Sequence, residues 1–268
     1  MKNTSVRGVF VRWCTCVTLI GILAVPLLAG AADEPSPLTV TGSLLDRVID
    51  SASRMYNDLT DFVCREDIER YKGSSRNPAG RKLDLITSTV SYDRDAEHYT
   101  DIYQNNKRLN RIRGLSGAWS EGEYGTLLGE TLKALQSGKI GSISPSTLDG
   151  VPAVVYSFDS SADDSPWDID VAGRHYSLAF RGQVWVSPMT AQVLRVDRIA
   201  TDIPERIGIA VVNWSVSFGM QTADKRAFWL PTKAVYSVSY LEECRREWNL
   251  IAFSGYRRYG SDVVVRFE

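Results

Sequence analysis

Two stretches of this chain alternate apolar and polar residues, and that period constrains the fold more than any other feature. Ala210, Val212, Trp214, Val216 and Phe218 share one side of an extended segment, with Asn213, Ser215 and Ser217 on the other. Phe228, Leu230, Ala234, Tyr236, Val238 and Tyr240 repeat the pattern after a short turn. Successive side chains of a strand point to opposite faces, so these are strands of a sheet with one wet side. Weaker versions of the pattern run through residues 62–113 and 151–267, separated by turn clusters such as Gly73 to Gly80 and Pro188 to Ala191. Strands at intervals of roughly 8–12 residues with short polar turns read as an antiparallel meander, not as βαβ units. Pro231 cannot donate to a ladder and marks an edge or a bulge.

Only two segments have helical period. Leu45, Val48, Ala52, Met55, Tyr56 and Leu59 place an apolar stripe on residues 43–59, with Thr41 or Ser43 as cap. Tyr124, Leu127, Leu128, Thr131, Leu132 and Leu135 place a second on 123–137, stopped by Gly138. Residues 141–150 and the acidic stretch 159–173 read as loops. About ten strands must curl, split or close. With two helices to cover it, the expected fold is mainly β: a curved antiparallel sheet or half-open barrel, with an N-terminal helix and a mid-chain helix packed into its mouth.

The first thirty residues are different. Lys2, Arg7 and Arg12 precede an apolar run from Trp13 to Leu28, followed by Ala29-Gly30-Ala31. This three-part order is that of a secretory signal peptide, with cleavage expected between Ala31 and Ala32. The run falls short of the roughly 20 residues of a spanning helix. Cys14 and Cys16 lie inside it and not at the cut, which is unlike a lipoprotein signal. The expected organisation is a signal peptide (1–31), a flexible lead (32–42) and a single β domain (43–268). The location is then the periplasm or the exterior. Formal charge is −1 for the whole chain; removal of three basic groups and no acidic one makes it −4, with no basic bias toward nucleic acid. No later apolar run reaches transmembrane length. Two cysteines survive the cut, Cys64 and Cys244, and in an oxidising compartment such a pair reads as a disulfide.

The order of elements resembles the periplasmic lipoprotein-carrier superfamily, which includes LolA-type and LolB-type carriers and the RseB-type sensor. The hairpin Gly182-Gln-Val-Trp-Val-Ser-Pro-Met-Thr-Ala-Gln-Val-Leu-Arg-Val-Asp197 is similar to a strand, Ser-Pro-x-Thr turn, strand pattern found there. The segments Phe228-Trp-Leu-Pro231 and Phe253-Ser-Gly-Tyr-Arg-Arg-Tyr259 resemble uncharacterised exported bacterial proteins. The resemblance implies a half-open barrel that holds an acyl chain or a lipidated partner.

Motifs for catalysis are sparse. Two histidines, His98 and His175, are the only candidate imidazole bases, and nothing local pairs either with a nucleophile. Gly114-Leu-Ser-Gly-Ala118 is not a nucleophile elbow. Asp163, Asp164, Asp168 and Asp170 lack calcium-loop order. Glu66 with Glu69, or Glu242 with Glu243, would be the carboxylate pairs of a glycosidase. No metal ligand set and no cofactor is expected. Aromatic content is the enriched feature. Trp119, Leu127, Leu128, Leu132, Trp214, Phe218, Phe228 and Tyr236 are the candidates for lining an apolar cavity, with the 123–137 helix as its mobile plug; the competing reading is plain sheet core. Three functions follow in order: a non-enzymatic envelope carrier of a lipid, lipoprotein or other apolar ligand; a structural or protein-interaction module with an envelope protein partner; and a hydrolase using His98 or His175.

Overall fold

The computed structural model describes residues 42–93, 95–110, 115–242 and 245–259. Val40–Glu268 form one compact unit, to which everything below refers. The expected signal peptide, its cut, the lead up to residue 41, Cys244 and a last strand at 263–267 lie outside the described residues. Among those described, no helix is long and apolar enough to cross a membrane.

Helix α1 (Gly42–Leu59) precedes strands β1 (Phe62–Ser74), β2 (Asn77–Asp93), β3 (Ala96–Gln104) and β4 (Lys107–Arg108). Helix α2 (Thr126–Gln136) follows, then β5 (Ser142–Leu148), β6 (Val151–Ser160), β7 (Asp168–Val171), β8 (Arg174–Ser177), β9 (Ala179–Val186) and β10 (Val193–Thr201). Strands β11 (Ile209–Ala223), β12 (Arg226–Tyr240) and β13 (Arg245–Arg258) complete the order. Eleven strands form one antiparallel sheet in the order β4-β3-β2-β1-β13-β12-β11-β10-β9-β6-β5; β7 and β8 pair separately. The sheet curves without closing, with β4 and β5 as its edges. The mainly-β fold with two helices is therefore as expected.

Three loops were expected where strands lie, or the reverse. Residues 142–148 form the edge strand β5 despite Pro145, because an edge strand needs partners on one side only. The acidic stretch ends in β7, paired with β8 through Asp168↔Ser177 to Val171↔Arg174. The expected strand 107–113 is described only as the two residues of β4. Inward parity in β11 is carried by Ile209, not by Ala210: the register shifts between Ile209 and Val211, and Ala210 is exposed. Pro231 sits beside a bulge, since Phe218 faces Pro231 while Ser217 faces Lys233. Pairing of β12 with β13 begins only at Lys233, so on that side Pro231 has no ladder to break.

The helices cover the concave face. α1 buries Leu44, Val48, Ala52, Met55 and Leu59, with Leu44 in the place expected of Leu45. It packs on α2, β10 and β12. α2 buries Leu127, Leu128, Thr131, Leu132 and Leu135. The two helices approach where a glycine permits it: a Cβ on Gly129 would lie 2.5 Å from the ring of Tyr56. That ring is pinned, because its hydroxyl bonds Tyr92 at 2.8 Å and also Asp95.

Cys64 is buried, and burial pushes its thiol pKa up. Cys244, the expected partner of Cys64, lies outside the described residues.

Gly129→Ala tests the helix contact. Helix propensity alone favours alanine by about 1 kcal/mol, but overpacking against a pinned ring costs about 1–3 kcal/mol. The variant should lower the urea midpoint, by about 1 kcal/mol or more in stability.

Candidate functional site

The inward side chains of the sheet fall into rows set by register. One row is apolar: Ile86, Ile68, Ile251, Ala234, Val216, Val196, Val184 and Tyr156 are successive cross-strand partners. Two residues along, the next row is polar. Asp84, Arg70, Asn249, Tyr236, Trp214, Arg198, Gly182 and Phe158 cross the same eight strands as partners. Arg70, Asp84, Asn249 and Arg198 thus bring buried polar and charged groups to the inner face.

The polar row holds two buried arginines, Arg70 and Arg198. Arg70 forms a fork on Asp84, Nε to Oδ1 at 2.7 Å and Nη2 to Oδ2 at 2.5 Å. Its Nη1 donates to the Ser116 carbonyl at 2.8 Å, and Gln104 donates to Asp84 at 2.6 Å. This pair fastens the 115–125 segment to the sheet, helped by Glu247, which accepts from the Ala118 N–H at 2.7 Å. Arg198 pairs instead with Glu130 of α2, Nη1 to Oε2 at 2.5 Å. Its guanidinium lies 4.5 Å from the Phe180 ring centroid.

Three further carboxylates, Glu66, Glu97 and Glu123, lie near enough to act on one another's charge. Glu97 accepts backbone N–H bonds from Gly125 (2.8 Å), Thr126 (3.3 Å) and Gly122 (3.0 Å), and the Tyr99 hydroxyl. It caps α2, whose own N-cap, Gly125, has no side chain to do so. Glu66 accepts from Ser88 at 3.0 Å. Glu123 is buried with both oxygens lacking hydrogen-bond geometry, although Ser120 and Trp214 lie beside it. Burial first, then Glu97, push Glu123 up from the ordinary 4.5 to about 8. Burial raises Glu66 and Glu97 in the same direction, with Glu123 and Glu97 adding to the effect on Glu66. Among the described residues, no three His, Cys, Asp or Glu side chains converge as a metal site requires.

An open cleft lies beside Arg198. Its volume is about 520 Å³, within the usual range for small-ligand sites. Phe158, Phe180, Pro166 and Ala134 give it apolar walls, Arg198 and Glu130 its inner polar pair, and Lys133 and Lys139 basic groups. Gly182 shapes the wall: a Cβ there would stand 2.3 Å from the Phe158 ring.

None of the eight expected cavity residues lines this cleft. Leu127, Leu128, Leu132, Trp214, Phe218 and Tyr236 are buried in the core, and Trp119 and Phe228 pack against it half-buried. Trp214 meets Trp167 at 5.8 Å between centroids, and Phe228 meets Phe62 at 4.9 Å. The other expected groups do not assemble. Glu66 faces inward, while Glu69 is outside, bonded to Lys82 at 2.6 Å. Glu242 is exposed, and Glu243 lies outside the described residues. His98 is exposed on β3; His175 is exposed and meets Asp170 at 2.9 Å. What the sequence reading missed had one signal: Glu66, Arg70 and Arg198 each share strand parity with apolar neighbours, Ile68 for the first two and Val196 for the third.

No family model matches the chain, and no curated protein matches it. Among solved structures it is similar to a DUF1329 family protein from Desulfovibrio piger, at 15% identity and a TM-score of 0.42, covering 84% of this chain and 97% of that one.

Two measurements check the buried charges. Asp84→Ala leaves Arg70 uncompensated and should cost about 3–5 kcal/mol of unfolding free energy. The three carboxylates set a pH dependence. Each acid with a raised folded pKa holds its proton more tightly in the native state, so its stabilising protonation is complete below about 4.5 and is lost as pH rises; for Glu123 the loss runs to about 8. The urea midpoint should fall between pH 5 and pH 8.5. Glu123→Gln should raise it at pH 8.5, by on the order of a few kcal/mol in stability at most, and change it little at pH 5.

Proposed function

We propose that the chain is an exported, non-enzymatic binding protein for an apolar, lipid-type ligand in the cell envelope, and that the ligand sits in the cleft beside α2. The observation that carries this reading is the cleft itself: rings of Phe158 and Phe180 open to a space of about 520 Å³ at the mouth of an unclosed sheet. The similarity of element order to the lipoprotein carriers supports the same reading. So does the position of the two histidines, which are exposed and absent from the cleft lining. The ligand is thereby moved from the centre of the sheet, where the aromatic residues are packed, to its β6–β9–β10 end. A lipidated protein fits the reading as well as a free lipid, since both would offer an acyl chain.

Protein purified from the cell envelope should carry extractable lipid detectable by mass spectrometry. Phe180→Asp, which places a charge on the cleft wall, should reduce the bound lipid at least tenfold. Absence of lipid from wild-type protein, together with no thermal shift on adding short-chain acyl amphiphiles, would overturn the reading.

A further inference from the structure

The inner end of the cleft is built around a donor with no acceptor. Arg198 is 1% exposed, and its Nε has no hydrogen-bond partner. Its Nη1 is taken by Glu130, and its face by the Phe180 ring. A buried N–H left unpaired is rare in folded proteins, and a guanidinium presents its donors in a fixed fork suited to carboxylate oxygens. Here the fork is half used. The other charged side chains of the cleft do not compete for it. Asp159 pairs with Arg181 at 3.0 Å, and Asp164 accepts from the Ser161 hydroxyl at 3.3 Å. Lys133 and Lys139 add positive charge to the lining.

We propose that the cleft selects a single-chain carboxylate amphiphile, whose head accepts the Arg198 Nε–H while its chain lies along Phe158, Phe180 and Pro166. This rests on the carrier reading and narrows it to one ligand class. Glu130 is then the internal competitor for the guanidinium. It is the group that a ligand carboxylate must share Arg198 with or displace, and it is 19% exposed at its side chain, so it has water to turn to. Burial already works against both charges of that pair, lowering the Arg198 pKa and raising that of Glu130, and an entering carboxylate relieves the first. Gly182 belongs to the same design, because it lets Phe158 lie back from the space that the chain needs.

The test is calorimetric titration of the delipidated full chain with dodecanoate and, separately, with 1-dodecanol. Wild type should bind dodecanoate at least tenfold more tightly than the alcohol. Arg198→Leu should abolish that preference and keep binding of the alcohol. Glu130→Gln removes the competing charge and should tighten dodecanoate severalfold while leaving the alcohol unchanged; it also carries the test if Arg198→Leu does not fold. Equal affinity of wild type for the two ligands, or a Glu130→Gln variant with unaltered preference, overturns the head-group assignment and leaves the carrier reading standing. Binding of neither ligand overturns both.

Discussion

The structure depends on how an unclosed sheet covers its concave face. Eleven strands present far more inward surface than two helices of 18 and 11 residues can cover by apolar contact alone. The chain meets this with one inward row that is apolar and a neighbouring row that is polar. The polar row includes two arginines that hold the covering pieces. Arg70 holds the 115–125 segment and Arg198 holds α2. Each does so with a buried charge, which is tolerable only because a carboxylate meets it at bonding distance. Glu97 completes the arrangement from the opposite flank by binding the backbone at the start of α2. The covering layer is thus tethered at defined points, while its Leu side chains supply the burial.

This arrangement explains why much of the fold was legible and the interior was not. Period two is a local property, so the strands and the antiparallel class could be read from Val212 to Phe218 and from Leu230 to Tyr240 without knowing what they pair with. The α1 stripe is local in the same way. Register is not local. That Arg70 lies opposite both Asp84 and Asn249, or that Arg198 lies opposite Trp214, depends on turn lengths and bulges scattered over more than a hundred residues.

The aromatic residues illustrate a second limit. Composition pointed to an apolar surface, and an apolar surface exists. Yet a packed ring and a cavity-lining ring are the same letter in sequence. Trp214 and Tyr236 are members of the polar row, and both are buried. Phe158 and Phe180, which do line the cleft, stand in strands of ordinary pattern. Only their partner Gly182, and the arginine beside it, distinguish them from core residues.

The two margins of the sheet have a consequence for assembly. Among the described residues β4 extends only two, and β5 contains Pro145 and is rich in serine. A margin that short, or one missing a donor, gives an incoming strand little to zip onto. A half-barrel is by nature a polymerisation hazard, since nothing in its closure stops a further strand from joining. Pro145 removes one donor from the β5 rim, where a further strand would otherwise find an unbroken ladder.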